Sequence, residues 1–211
     1  MSIAIATVCL HGHSRMLGPV TPKADQGPTL RADAARNRAR VLQVAREQLA
    51  AGDDSLQLNA IARLAGVGVG TVYRHFPNQH ALREALSAER FRELVGEAQA
   101  AADAEDPLAG LRHLLRFTLT GALKDTGFAA VLESAADAEA HTSELKAELD
   151  GAVAHLLDRA RVAGAIRRDV EADDVRRLLC GIEHAVRAGD GDPARTEVYL
   201  DVLMEGLRPP R

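Results

Sequence analysis

From Ala34 almost to the C-terminus, apolar residues return every three or four positions, and nowhere do polar and apolar residues alternate over the length of a strand. Spacing of three and four places those residues on one stripe of a helix, whereas a half-buried strand needs a period of two. The chain is therefore expected to be all-α, with about nine helices and no strand. Its 211 residues can bury a core without disulfides or metals. At 46% hydrophobic and 27% charged residues, the composition is that of an ordinary globular protein.

Val41, Leu42, Ala45 and Leu49 line a first helix that Gly52 stops, and short helices follow around residues 58–65 and 70–76, separated by Gly66-Val67-Gly68. After the Pro77-Asn78 break, Leu82, Ala85, Leu86, Phe91, Leu94, Val95 and Ala98 carry one long helix to about Ala104. Asp106-Pro107 reads as an N-cap followed by proline at the first helical position. It opens a helix marked by Leu108, Leu111, Leu114, Leu115, Leu119 and Leu123. Another is expected near residues 127–138, and the next carries Leu145, Leu149, Val153, Leu156 and Leu157 as far as Gly164. Val175, Leu178, Leu179 and Ile182 define a helix begun by acids that suit its N-terminal dipole. The last starts at Asp192-Pro193 and carries Val198, Tyr199, Val202, Leu203 and Leu207. Before residue 30 no periodicity exists, and Gly18-Pro19, Thr21-Pro22 and Gly27-Pro28 interrupt any helix, so residues 1–30 read as a disordered leader. Met16 offers an alternative translation start within it.

Cys9 and Cys180 stand far apart with no CxxC spacing, which excludes a zinc ribbon or a disulfide framework as the organising principle. The apolar run from Met1 to Leu10 is too short to span a membrane and lacks a basic flank, so neither anchor nor signal peptide is expected and the cytoplasm is the expected location. A net charge of −4 argues against a nucleic-acid partner, but its distribution argues the other way. Residues 31–90 hold nine Arg against six acids, a charge of +3, while residues 91–211 hold fifteen Lys plus Arg against twenty-three acids, a charge of −8. A basic front suits contact with phosphate, and an acidic rear suits another task. Arg outnumbers Lys by twenty-three to three, which points to a GC-rich bacterial genome through codon composition.

The most informative stretch is residues 58–82, LNAIARLAGVGVGTVYRHFPNQHAL. Ile61, Ala62 and Ala65 form a small apolar face that a second helix can cross closely, with Leu64 adding bulk beside them. Gly66 suits the left-handed position that ends a helix, and Val67 fills the corner. The next helix offers Thr71, Tyr73, Arg74 and His75 as donors and acceptors, while Val72 and Phe76 face inward. Glycines at 68 and 70 permit close approach of a phosphate, which the free N–H groups of a helix start attract. This is a tight helix-turn-helix, the device that presents a helix to a DNA major groove.

The segment AGVGVGTVYRHFPNQHAL resembles the signature of the TetR family of bacterial regulators, and the resemblance covers about fifty residues from Arg36 to Leu86. It implies a three-helix DNA-binding domain over residues 31–82, a helical ligand-binding and dimerisation domain over 83–211, and a homodimer on a palindromic operator. It also implies phosphate or backbone contacts from Thr71, Tyr73 and His75, and groove-facing positions for Val69, Gly70 and Arg74. Asn59 matches a position that touches a base. Gln79 stands where many relatives carry a phosphate-gripping Lys, and Gln57 where many carry a capping Thr. The neutral amide removes one ionic contact and is expected to reduce the salt slope of binding by about one unit. Arg38 and Arg40, with Arg36, stand either as replacements for that contact or as a solvated helix start, and Tyr73 either as a DNA contact or as a packing residue with a wet hydroxyl.

In the rear part, His113, Arg116, Phe117, Glu133, His155, Cys180 and His184 lie on or near helices whose other faces are apolar. His141 belongs with them. Singly, each polar member reads as a surface or satisfied core residue; together they mark a candidate ligand pocket. Cys180 and His184 are four apart but lack an oxyanion partner, so no catalytic set is assigned. No metal spacing and no cofactor motif is evident. The apolar faces of the final two helices exceed what one layer covers, and point to a four-helix interface with a second copy. The expected function is ligand-released repression at a palindromic operator. The rival is a helical binding protein or enzyme whose front motif is only structural.

Overall fold

The computed structural model describes residues 27–189 and 193–210, and in that range the chain is helical without a strand. The elements are α1 (Gly27–Ala50), α2 (Leu58–Ala65), α3 (Val69–His75), α4 (Gln79–Asp103), α5 (Pro107–Lys124), α6 (Thr126–Glu133), α7 (Ala140–Val162), α8 (Ala172–Ala188) and α9 (Pro193–Gly206). The remainder of the expected leader, with Cys9 and Met16, lies outside the described residues.

Two boundaries differ from expectation, each for a local reason. α1 begins at Gly27, not after Ala34. Pro28 is tolerated because it falls in the first turn, where its missing N–H would have had no helical partner. α6 ends at Glu133, not near Ala138. Ser134 ends it by hydrogen-bonding locally: its hydroxyl donates to the Ala136 carbonyl at 2.7 Å and accepts from the Ala136 N–H at 3.3 Å, in competition with the helical ladder. The Asp106 cap forms as expected, its side chain accepting from the N–H groups of Leu108 and Ala109 at 2.9 and 3.2 Å with Pro107 next in line.

Two apolar cores form. The front one joins α1, α2, α3 and the start of α4 through Val41, Ala45, Ile61, Val72, Phe76 and Leu82, with Leu86 packed at its edge. The rear one begins at Phe91 and gathers residues of α4 through α9, including Leu111, Phe128, Leu156, Val175 and Leu200. The change from one core to the other falls inside α4, between Leu86 and Phe91, further along the chain than residue 82. At 25 residues α4 is about 37 Å long. It packs against α1 at its start and against α5, α6 and α7 beyond.

Phe91 anchors the rear core, its ring tilted against Phe128 with centroids 5.0 Å apart and almost no surface exposed. Replacing Phe91 by Ala removes an aromatic pair and leaves a cavity, and is expected to cost about 3–5 kcal/mol. Chemical denaturation checks this, and a loss below about 1 kcal/mol would show that α4 does not depend on that contact.

Candidate nucleic-acid interface and ligand cavity

The turn between α2 and α3 is fixed by backbone chemistry. Gly66 adopts φ +62° and ψ +32°, a left-handed conformation that costs any other L-residue about 1–2 kcal/mol. Its N–H returns to the Arg63 carbonyl at 3.1 Å, and the Val67 N–H reaches the Ala62 carbonyl at 3.0 Å. Val67 then packs on the front core, so the corner is sealed by an apolar contact as well as by hydrogen bonds. α3 leaves this corner with Val72 and Phe76 completely buried. Helical periodicity sends the rest of it outward: Val69, Gly70, Tyr73 and Arg74 are exposed, and Thr71 and His75 half-buried. Gln79 is half-buried one turn later, behind Asn78, whose side chain caps α4 by accepting from the Ala81 N–H at 2.9 Å. Asn59 is exposed on α2, where Gln57 precedes the helix without capping it.

Leu64 departs from its expected place. It does not pack beside Ile61 but is 56% exposed, because the α2 stripe through Ile61, Ala62 and Ala65 turns it away from the core. With Val69 and Tyr73, 43% and 44% exposed, it gives this region an apolar outer surface. Arg38 is half-buried, its guanidinium 5.2 Å from the centre of the Phe76 ring. Its charge therefore sits above the root of α3 with its stem covering core, while Arg40 is exposed. Among the described residues neither has a carboxylate partner, and the same holds for Arg63 and Arg74.

The rear arginines behave differently, and this decides where the candidate pocket residues fall. Arg116 makes a two-point contact from α5 to Glu197 of α9 at 2.7 and 2.8 Å, and that carboxylate holds its pKa above the ordinary value. His113 meets Glu97 of α4 at 2.8 Å. Both lie on the outer side of α5, because its inward stripe is Leu111, Leu114, Leu115 and Thr118. Phe117 lies partly buried under the Arg90 guanidinium at 4.9 Å. His141, His155 and His184 are exposed on α7 and α8. Of the expected set, the structure brings together Glu133 and Cys180, in a cleft of about 10 Å³ with Leu119 and Ala122. Burial first, then Glu133, pushes the Cys180 thiol up to about 11, so it stays protonated and unreactive at neutral pH.

The larger internal space was not marked by the sequence. A cavity of about 60 Å³ lies between α4, α5, α7 and α8, walled by Leu111, Leu114, Leu115, Leu149 and Leu179. Thr118 interrupts this wall but its hydroxyl is spent on the Leu114 carbonyl at 2.8 Å. Asp150 and Arg176 line the same cavity. A threonine in a leucine stripe and an acid next to Leu149 were the available signals.

A second unanticipated feature joins the two parts. Glu84 of α4 is buried, and its carboxylate accepts the N–H groups of Ala138 and Glu139 at 2.7 and 2.8 Å, at the entrance to α7. His80 lies 2.8 Å from the same carboxylate. On the other side of this turn, Lys146 donates to the Ser134 carbonyl at 2.8 Å and to Asp137 at 2.6 Å. His80, Glu84 and Asp137 bring ligand-type atoms within 4.8 Å of one another, and Lys146 already supplies positive charge there.

Comparison with known proteins places both halves. The family described as bacterial regulatory proteins, tetR family, matches residues 41–86, and that described as transcriptional regulator SbtR-like, C-terminal domain, matches residues 106–209. A TetR transcriptional regulator from Streptomyces coelicolor is 30% identical, the match covering 82% of this chain and 99% of that one with a TM-score of 0.52. A TetR regulatory protein from Mycobacterium vanbaalenii is 36% identical over 85% of this chain and 99% of that one, with a TM-score of 0.47. The regulator FadR from Bacillus subtilis, solved with stearoyl-CoA, shares 16% identity over 81% and 99% of the two chains, with a TM-score of 0.58. No curated protein matches the chain.

Replacing Glu84 by Ala strands two backbone N–H groups at the entrance to α7, and is expected to cost about 2–3 kcal/mol. Glu84→Gln, which keeps one acceptor, should cost less. Denaturant titration of both variants checks this; equal midpoints for wild type and Glu84→Ala would mean that the turn finds other acceptors.

Proposed function

Because this chain belongs to the TetR family of transcriptional regulators, we propose that it is a sequence-specific repressor of the cytoplasm, bound as a homodimer to a palindromic operator and released by a small molecule. The observation that carries this reading is the outer face of α3. Val69, Gly70, Tyr73 and Arg74 stand exposed on it, and a Cβ added at Gly70 would meet nothing within 4 Å. Nothing within the protomer crowds that position, so it is open to the close approach of a DNA backbone. Thr71, His75 and Gln79 flank this face as phosphate contacts, Asn59 approaches from α2, and Arg38 and Arg40 supply the charge that Gln79 lacks.

The dimer is assigned to α8 and α9, which leave Leu178, Val198 and Val202 exposed at 48%, 47% and 67%. Apolar side chains clustered on neighbouring helices are what a helix-to-helix interface covers. Two copies would then set two α3 helices about one DNA turn apart. The front core shares α4 with the ligand-binding part, so a ligand that prefers a different α4 position would alter that separation. Its differential affinity for the two arrangements, not its presence alone, would drive release.

Binding to DNA upstream of the gene, by gel shift at two salt concentrations with random DNA as competitor, tests the reading. A competitor-resistant shift is expected, and failure to select any sequence from a random library would overturn it. Gly70→Ala should leave the melting temperature unchanged or slightly raised, since Ala favours helix. It should weaken operator binding about tenfold or more, the equivalent of roughly 1.4 kcal/mol; full affinity would remove Gly70 from the interface. Val202→Glu should give a folded monomer in sedimentation with operator affinity lost, and an intact dimer would place the interface elsewhere.

A further inference from the structure

The 60 Å³ leucine cavity does not end blindly. It shares Leu132, Leu149, Asp150, Ala172 and Arg176 with an open groove of about 550 Å³ that runs along α6, α7 and α8. Asp150 and Arg176 thus stand at the doorway between a leucine-lined slot and an open groove. The channel carries Asp137, Asp173 and Lys146 as well. Lys146 is paired with Asp137 at 2.6 Å, and Asp173 holds both Arg176 and, at 2.7 Å, Arg177. Each base lining the channel is therefore already matched to an acid. Asp150 makes neither a hydrogen bond nor an ion pair among the described residues; it is exposed to water, with Arg176 and Lys146 near enough to attract it. Partial burial, with Asp173 behind it, pushes its carboxyl above the usual carboxylate range, against the pull of Arg176 and Lys146.

We infer that the effector is a compact amphipathic cation, with a short apolar body in the leucine slot and a protonated nitrogen against Asp150. This deepens, and rests on, the reading of the chain as a ligand-released regulator. One water needs roughly 10–15 Å³ of such space, so the slot takes a handful of heavy atoms and no more without rearrangement. An anionic head would face three acids and only two bases, both already engaged, and would have to break an existing pair. A cation breaks none and replaces water at the exposed Asp150 carboxylate, where three acids outnumber two bases.

The same placement accounts for coupling. Ser134 and Asp137, which line the channel, belong to the turn that Glu84 holds from α4, and Lys146 of α7 bonds to both. A head group entering the channel therefore presses on the turn between α6 and α7, and through Glu84 on the helix that carries the front core. By linkage, DNA must weaken effector binding by the factor with which the effector weakens DNA binding.

The test is calorimetric titration of the full-length protein with n-hexylamine, hexan-1-ol and hexanoate, which share an apolar body and differ in head charge. Hexylamine is expected to bind at least about tenfold more tightly than hexanol, which is what one charge-assisted contact confers, and hexanoate least. Asp150→Asn should bring hexylamine down to the level of hexanol without moving the melting temperature, because Asp150 lies at the solvent-exposed rim. Hexanoate binding as well as the amine, an amine preference that survives Asp150→Asn, or no binding of any probe at millimolar concentration would overturn the inference. Gel shifts run with the same probes separate it from the reading beneath it. Release of DNA by hexanoate would overturn the cation while regulation stands; tight, Asp150-dependent hexylamine binding that leaves DNA affinity unchanged would support the cation and count against ligand-controlled release.

Discussion

The Glu84 carboxylate sits where charge is expensive, and the surroundings of α4 are arranged to keep it there. Taking a carboxylate out of water costs several kcal/mol unless donors replace the solvent. Two backbone N–H groups at 2.7 and 2.8 Å do so, and His80 lies 2.8 Å away. Those backbone donors belong to the entrance of α7, so satisfying one charge fixes α4 to the rear bundle within its first two turns. The same helix places Ala81 and Leu82 in the front core and Phe91 onward in the rear one. A helix packed at both ends cannot bend cheaply between them. The two cores must move with α4 or against a broken Glu84 contact, and this links the front core that carries α3 to the rear bundle.

Much of the fold was legible because its signals are local. Val41, Ala45, Ile61, Val72 and Phe76 are buried where a three-and-four spacing puts them, Gly66 takes the left-handed conformation that its position demands, and Asp106-Pro107 starts a helix. The signals that misled were also local but had two meanings. Gly27-Pro28 interrupts a helix in mid-course yet opens one in its first turn, and here it opens α1. The run after Gly127 keeps helical spacing to Ala138, but Ser134 and Glu84 compete for its backbone and win.

The site divides along the same line. The exposed face of α3 follows from the burial of Val72 and Phe76, so Val69, Gly70, Tyr73 and Arg74 were readable from the sequence. The pocket was not, because periodicity says which residues share a stripe and not which helix that stripe meets. His113 and Arg116 look like polar groups available to a cavity until Glu97 and Glu197, on α4 and α9, claim them on the outer surface. Glu84 and the turn it binds are more than fifty residues apart, beyond any local pattern.

A net charge of −4 conceals an uneven distribution of charge along the chain. Behind α4, acids and arginines neutralise one another across helices and along them: Arg116 with Glu197, Arg112 with Asp201, Arg187 with Glu183. In front of it Arg36 and Arg83 also meet carboxylates, those of Asp33 and Asp54, but Arg38, Arg40, Arg63 and Arg74 keep their charge without one among the described residues. What a phosphate meets is the local unpaired charge, since more distant acids are screened over about 10 Å at ordinary salt. An acidic protein can thus present a cationic face to DNA. Arginines without carboxylate partners beside α3, exposed valines on α9 and the exposed Asp150 at the mouth of a leucine slot are the groups on which the proposed DNA, dimer and effector contacts rest.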